Sequence, residues 1–300
     1  MKENKVTIHS KDNINLYLND IASNPRNGLI PSKYPDVVTK SIVAENIIST
    51  IWQEGSFCMS DIKTTAYWEG SEDTEVLKCS IKTARQYISS LGLRLEEFNT
   101  KPSDNFRINF KAQPSQKEYS RRCPEQISDN TKSWIIYIPF DTCDFNLGGS
   151  RWNELIETGS YRCPNISNST YFMDCYEVVR ELVEDKIVKT GVTVGEGGLI
   201  VALWKMVKNN GLDVDLSGIM KSYSEKDIIK ILFSEIPGVV IEIDNFDFDY
   251  VDAELVLQGV AYYPIGHPAK KGLRIENYSL PDLSDIMLSL LGRQNPEGED

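Results

Sequence analysis

Apolar residues recur at helical spacing from about Thr39 to Gln53, where Ile42, Val43, Ile47, Ile48, Ile51 and Trp52 mark one stripe. Residues 62–68 bring β-branched and aromatic side chains together and predict a strand. Glu75 to Leu91 predicts a second helix, closed by Gly92 as its C-terminal cap. Between Asn99 and Thr131 the chain is polar, interrupted by the short alternating strand candidate Phe106–Phe110. Ser133–Phe140 is nearly all apolar, which predicts a strand covered on both faces. Residues 1–37 read as polar, with turn signals at Asn24–Gly28 and Pro31.

The second half alternates in the same way. A helix is expected from about Ser169 to Val188, with Tyr171, Cys175, Val178, Val179 and Leu182 on one side. Another, Leu199 to Val207, opens from Gly195–Gly198. Ser224–Asp227 has the Ser-x-x-acid form of a capping box ahead of the apolar run 228–233. Gly238–Asp244 reads as a strand, Asp249–Gln258 as a short helix and Val260–Pro264 as a further strand. The expected class is therefore α/β or α+β. The polar stretch 148–168 places a boundary near Asn165, giving an N-terminal domain over 1–165 and a C-terminal domain over 166–300.

Composition narrows the function classes. With 41% hydrophobic residues among 300, the chain can bury a core, which excludes global disorder. The 32 basic residues against 44 acidic ones give −12, so nucleic acid is not an expected partner. Small phosphate ligands stay compatible, because a few backbone amides can hold them despite an acidic total. No apolar run is long enough for a membrane helix and no apolar signal core follows Met1, so a cytoplasmic chain without membrane partners is expected. Six scattered cysteines without a C-x-x-C pair, and only His9 and His267, argue against disulfide or zinc frameworks.

The order of motifs is more specific than the class. Gly191–Leu203, Gly211–Asp215, Ile231–Glu235, a Gly-Val-Val strand and Ile265-Gly266 follow one another, with Leu147-Gly-Gly-Ser150, Ile42–Asn46, Asp61–Lys63 and Tyr67-Trp68 upstream. From about residue 40 to 295 this resembles the second half of phosphoribosylformylglycinamidine (FGAM) synthases, in the aminoimidazole-ribonucleotide-synthetase superfamily. The resemblance implies an N-terminal domain with a dimer-forming sheet and a C-terminal domain with helices on a mixed sheet. It also implies an ATP-dependent carbon–nitrogen ligase acting on formylglycinamide ribonucleotide, with ATP or ADP, magnesium, and a homodimer or complementary synthase subunit as partner.

On that pattern Gly148, Gly149 and Ser150, and Gly195, Gly197 and Gly198, would be phosphate-proximal turns. The alternative for either set is a tight turn beside a strand or helix. Glu45 stands at a metal-binding Glu and Ser49 where an Asn is implied four residues on, sharing one helix face. A plain surface carboxylate and a helix back-bond are their simpler roles. Thr193 replaces a metal-binding Asp, Glu196 keeps a carboxylate in the turn, and the strand Asp would fall near Glu3 or Asn4. Where a Gly-Lys-Asp-Ser stretch is implied, Glu96, Glu97 and Phe98 stand instead, leaving Lys101 and Ser103. The window Glu242–Glu254, with six acids and no base, is expected to end a strand and start a helix rather than bind calcium. His267 reads as a loop residue and the tail 295–300 as frayed.

Loss of the turn Asp and of the Gly-Lys-Asp-Ser stretch favours a divergent FGAM synthase-like protein, non-catalytic alone or dependent on a partner and able to bind nucleotide. An active amidine-forming half and a ligand-free interaction module are the alternatives.

Overall fold

In the computed structural model, residues 13–55, 57–71, 74–114, 121–156, 161–207, 210–275, 278–279 and 285 are described. Glu3, Asn4 and the tail 295–300 lie outside them. The polar-reading N-terminal stretch holds a helix, α1 (Asn13–Ser23). Ile14, Tyr17, Leu18 and Ile21 fall at i, i+3, i+4 and i+7 and are all buried. Four apolar residues among Asn, Asp and Ser suffice because they share one face.

Helix α2 (Pro35–Ile48) begins earlier than the periodicity predicts, because Pro35 fits the first turn of a helix. Its C-terminal end tightens into a 3-10 turn over Ser49–Trp52. Strand β1 (Ile62–Glu69), helix α3 (Glu75–Ser90), strand β2 (Leu95–Lys101) and strand β3 (Arg107–Pro114) follow. They form a three-stranded sheet in the order β2-β1-β3, β2 parallel to β1 and β3 antiparallel to it. Ile62, Thr64, Ala66 and Trp68 point from β1 into a core shared with α2 and α3.

The larger sheet has seven strands in the order β10-β9-β6-β8-β4-β7-β5. They are β4 (Trp134–Pro139), β5 (Val188–Val194), β6 (Gly211–Val214), β7 (Gly238–Ile243), β8 (Tyr263–Ala269), β9 (Gly272–Ile275) and β10 (Tyr278–Ser279). The helices are α4 (Arg151–Ile156), α5 (Ser169–Glu184), α6 (Leu199–Met206), α7 (Ser217–Tyr223), α8 (Ile228–Phe233) and α9 (Phe248–Leu257). Only β6 and β9 pair in parallel, so this is the mixed sheet with helices that was expected. Strand β4 explains its own sequence. Ile136 and Ile138 join the core under α5 and α9, while Ile135 and Tyr137 join the core under α1, α6, α7 and α8. Both faces are covered, so polar alternation is absent. Because β4 lies between β8 and β7, the chain enters the larger sheet before the boundary expected near Asn165.

Two local expectations change. Ser224 closes α7 in a left-handed conformation (φ 52°), and Asp227 is the residue that caps α8, its Oδ1 accepting from Ile229 N at 3.0 Å. His267 is in strand β8, not a loop: the strand runs later than 260–264, because Gly259 still turns the chain out of α9. No helix among the described residues is long and apolar enough to cross a membrane.

The core role of α1 has a direct check. Leu18→Ala should lower stability by about 2–5 kcal/mol in urea unfolding. Leu16→Ala, on the half-exposed side of the same helix, should change it by no more than about 0.5 kcal/mol.

Candidate functional site

The two glycine turns meet at one place, and their backbone amides already have acceptors. Strand β5 ends in Gly195–Gly198, where Gly197 and Gly198 adopt φ of 84° and 79°, open to glycine at little cost. A side chain at Gly195 would collide with the Glu45 carboxyl group, so its absence lets Glu45 reach in from α2. Glu45 Oε2 accepts from Glu196 N at 3.2 Å, Glu235 Oε1 from Gly197 N at 2.9 Å, and Gly195 O from Gly198 N at 2.9 Å. In the other turn Gly148 N donates to Arg162 O and Ser150 N to Leu147 O, at 2.8 and 3.1 Å. Ser150 Oγ also donates to Leu147 O while accepting from Asn153 N, which caps α4. Arg151 N, at the start of α4, donates to Glu235 Oε1 at 2.8 Å.

Glu235, from the loop after α8, therefore bridges both turns with one oxygen. Its other oxygen takes Arg26 Nη1 at 3.0 Å, and both side chains are buried to within 5%. Arg26 also donates Nε to Glu154 (3.1 Å) and Nη2 to Gly149 O (3.0 Å), while its backbone N contacts both Glu196 oxygens (2.8 and 3.0 Å). Arg151 adds ion pairs to Asp20, Glu154 and Glu196. Burial opposes the Arg26 charge, but Glu235, Glu154 and Glu196 outweigh it and raise the guanidinium above its ordinary range. Burial lifts the Glu196 carboxyl to about 7 despite Arg26 and Arg151. Sequence reasoning missed Arg26, Arg151 and Glu235. Arg26 was visible only as part of a turn signal, and Glu235 only as the end of the Ile231–Glu235 motif, with nothing local to join the two.

Of the residues proposed for a metal, Ser49 meets Thr193, while the Glu45 carboxylate turns to the Glu196 amide. Ser49 Oγ lies 3.4 Å from Thr193 Oγ1 and, one turn from Glu45, donates to Glu45 O at 2.7 Å. Trp52 Nε1 donates to Thr193 Oγ1 at 2.8 Å. They are poor magnesium donors as arranged. A hard dication needs carboxylate oxygens to offset its charge, whereas both hydroxyls here bond to protein and burial raises the Glu45 carboxyl toward its neutral form. Among the described residues no group of three or more His, Cys, Asp or Glu is placed to hold a metal ion. A phosphate at the turns would have to displace the Glu235 and Glu45 carboxylates. The residues present do not fit magnesium nucleotide.

The other sequence candidates lie elsewhere. Lys101 is exposed at the end of β2, where its carbonyl accepts from Gly70 N, and among the described residues no hydrogen bond or ion pair joins it to either turn. Acids of the 242–254 window have separate partners: Glu242 accepts from Ser128, and Asp244 from Asn130 and Lys189. His267 Nδ1 is 2.8 Å from Ser133 O, with its ring against Trp134.

Two outcomes follow for this cluster. Glu235→Ala should cost about 3–5 kcal/mol in urea unfolding by leaving Arg26 buried without its partner. Sulfate or phosphate in the tens of millimolar range should recover part of that loss in the variant and stabilise the native sequence less. Glu196 holds its proton more tightly folded than unfolded, so its contribution is full below about pH 4.5 and is lost as pH rises through about 7. Glu196→Gln should therefore lose less stability than the native sequence between pH 5 and pH 8.

Comparison with known proteins places this geometry. No family profile matches the chain. The PurL subunit of phosphoribosylformylglycinamidine synthase from Methanocaldococcus jannaschii is 38% identical over 110 residues, covering 36% of this chain and 14% of the relative. The human phosphoribosylformylglycinamidine synthase is 24% identical over 140 residues, 46% of this chain and 10% of the relative. The matched segments are thus a small part of either relative's length. Among solved structures, Thermotoga maritima PurL complexed with FGAR superposes with a TM-score of 0.64 at 11% identity, over 86% of this chain and 45% of that one. The PurLQS structure from the same organism gives 0.61 at 12% identity, over 86% and 46%. Its PurL complexed with ATP gives 0.57 at 12% identity, over 88% and 42%. By sequence over part of its length and by fold over most of it, the chain is similar to the PurL-type phosphoribosylformylglycinamidine synthases.

Proposed function

We propose that this chain is a divergent FGAM synthase-like protein, related to purine biosynthesis, that does not form amidine by itself. The observation that carries this reading is the seat of Glu235. One carboxylate oxygen accepts from Gly197 N and Arg151 N, at the two turns that the resemblance assigns to phosphate. Turn amides and helix N-termini attract anions of any kind, and here the anion belongs to the chain. Thr193 in place of an acid removes charge that a magnesium ion would require. The protein would then act in the cytoplasm as an interaction or regulatory module, as a homodimer or beside another subunit.

A second reading, an active half completed by a partner, is favoured by one observation: Ser49 and Thr193 lie together beside the helix that carries Glu45. PurLQS, whose structure is similar, is an assembly with further subunits. A partner would have to supply the missing acids and draw Glu235 away.

Thermal unfolding with ATP or ADP, each with and without magnesium, separates the readings. A nucleotide at about 100 times its Kd would stabilise the native state by roughly 2.7 kcal/mol, which raises the melting temperature of a chain of this size by about 4 °C. No magnesium-dependent shift is expected, and no amidine should form from formylglycinamide ribonucleotide, ATP and ammonia. A magnesium-dependent shift together with turnover by the isolated chain would overturn the proposal.

A further inference from the structure

Helix α9 is apolar on two opposite faces. Its inner face is ordinary: Val251 and Leu255 are fully buried, and Phe248 packs against the same core. Its outer face is not. Phe246, in the 3-10 turn Asn245–Asp247 that leads into the helix, starts a stripe at i, i+4, i+7 and i+11 with Tyr250, Ala253 and Leu257. All four are exposed: Phe246 by 80%, Tyr250 by 46% and Leu257 by 77%, with Val256 alongside at 64%. A helix on a protein surface usually turns polar residues outward, as α3 does with Lys78, Lys82 and Gln86 and α5 with Asp174 and Glu181. Of the eight large exposed hydrophobic side chains among the described residues, half lie on this helix and the turn that leads into it. That concentration distinguishes a patch from scattered surface apolars.

The charge around the stripe is predominantly acidic, with Lys186 the exposed exception. Glu254 above all, then burial, then Asp185 and Glu181 of the neighbouring α5 end, push the Tyr250 phenol up. Asp249 is exposed in the first turn of α9, and Asp247 precedes it. The basic groups of the adjoining segment are Arg180, Lys186 and Lys189. Arg180 is held by Glu177, Glu181 and Glu184, and Lys189 by Asp244. A second copy would set these acids against themselves, and the chain's −12 charge adds to that repulsion. An anionic lipid surface is repelled for the same reason. A cationic segment is attracted, and its guanidinium groups can stack on the open Phe246 and Tyr250 rings while pairing with the flanking carboxylates.

We propose that the outer face of α9 is the docking surface for a basic amphipathic helix of a partner protein, which lays its apolar side along Phe246, Tyr250, Ala253 and Leu257 and its Lys and Arg residues against Asp249, Glu254 and Asp185. The stripe runs about 16 Å, three helical turns, long enough to fix a helix in register. This inference does not depend on whether the glycine turns bind nucleotide.

The test uses the full chain and a labelled synthetic helix of about 16 residues, with leucines on one stripe and Lys and Arg on its flanks. Its counterpart carries Glu at the basic positions. Fluorescence anisotropy at low salt should show saturable binding of the basic peptide and none of the acidic one. Tyr250→Ala with Leu257→Ser should weaken binding about tenfold or more, as loss of central anchors does. Asp249→Asn with Glu254→Gln should weaken it and flatten its salt dependence. These side chains are exposed or partly exposed, so an unchanged melting temperature confirms that each variant folds. Absent binding, equal binding of both peptides, or binding indifferent to the double variants would overturn the proposal. Sedimentation of the chain alone gives a further arm: self-association abolished by Leu257→Ser would assign the face to a second copy and overturn the basic partner.

Discussion

The ion pair between Arg26 and Glu235 holds together the ends of four helices. Arg26 sits just beyond α1, Glu235 just beyond α8, and the hydrogen bonds that complete them come from α4, the entry to α6 and the turn before α4. Burying two charges is costly, and a single contact would not compensate for it. Here both Glu235 oxygens and every side of the Arg26 guanidinium have partners, which turns a penalty into a constraint on geometry. Helix α1 is drawn onto the larger sheet by its apolar face, but the Arg26 network fixes where its following loop must lie.

That constraint bears on chemistry because of where it falls. The amides of a glycine turn and a helix N-terminus are the groups that hold phosphate in many nucleotide sites. In this protein they converge as they would for such a ligand, and a carboxylate occupies the focus. The neighbouring cluster is closed in a parallel way. Glu45 still points at the turn, but Ser49 bonds back to its own helix and Thr193 accepts from Trp52. In both places polar groups that could face a ligand are taken up by bonds within the chain. Helix α9 shows the opposite tendency on the far side of the sheet's other covering layer. Among the described residues its outer apolar stripe stays exposed, with acidic side chains flanking it.

Much of the architecture was readable because it is local. The stripes of α2, α3 and α5, the fully apolar β4 and the Gly entry to α6 each record their surroundings in a repeat of two or 3.6 residues. The collinear motifs also pointed to the synthase fold, since their order survives where single residues have changed. Helix α1 escaped notice because four apolar residues carry its stripe through a stretch otherwise polar in composition. Ser224–Asp227 misled because a left-handed Ser and a capping Asp share the spacing of a capping box.

What the sequence by itself determined, then, is the elements with strong local stripes, their class and the family they resemble, because periodicity and motif order are properties of neighbouring residues. Only the tertiary structure decided what occupies the glycine turns. Arg26 and Glu235 are 209 positions apart, and the Glu45 carboxylate meets the Glu196 amide across 151. A charge pair over such a distance leaves no periodic trace, since either residue alone reads as an ordinary surface group. Its meaning arises only when the sheet closes, water is excluded and each buried charge has to find its counterpart.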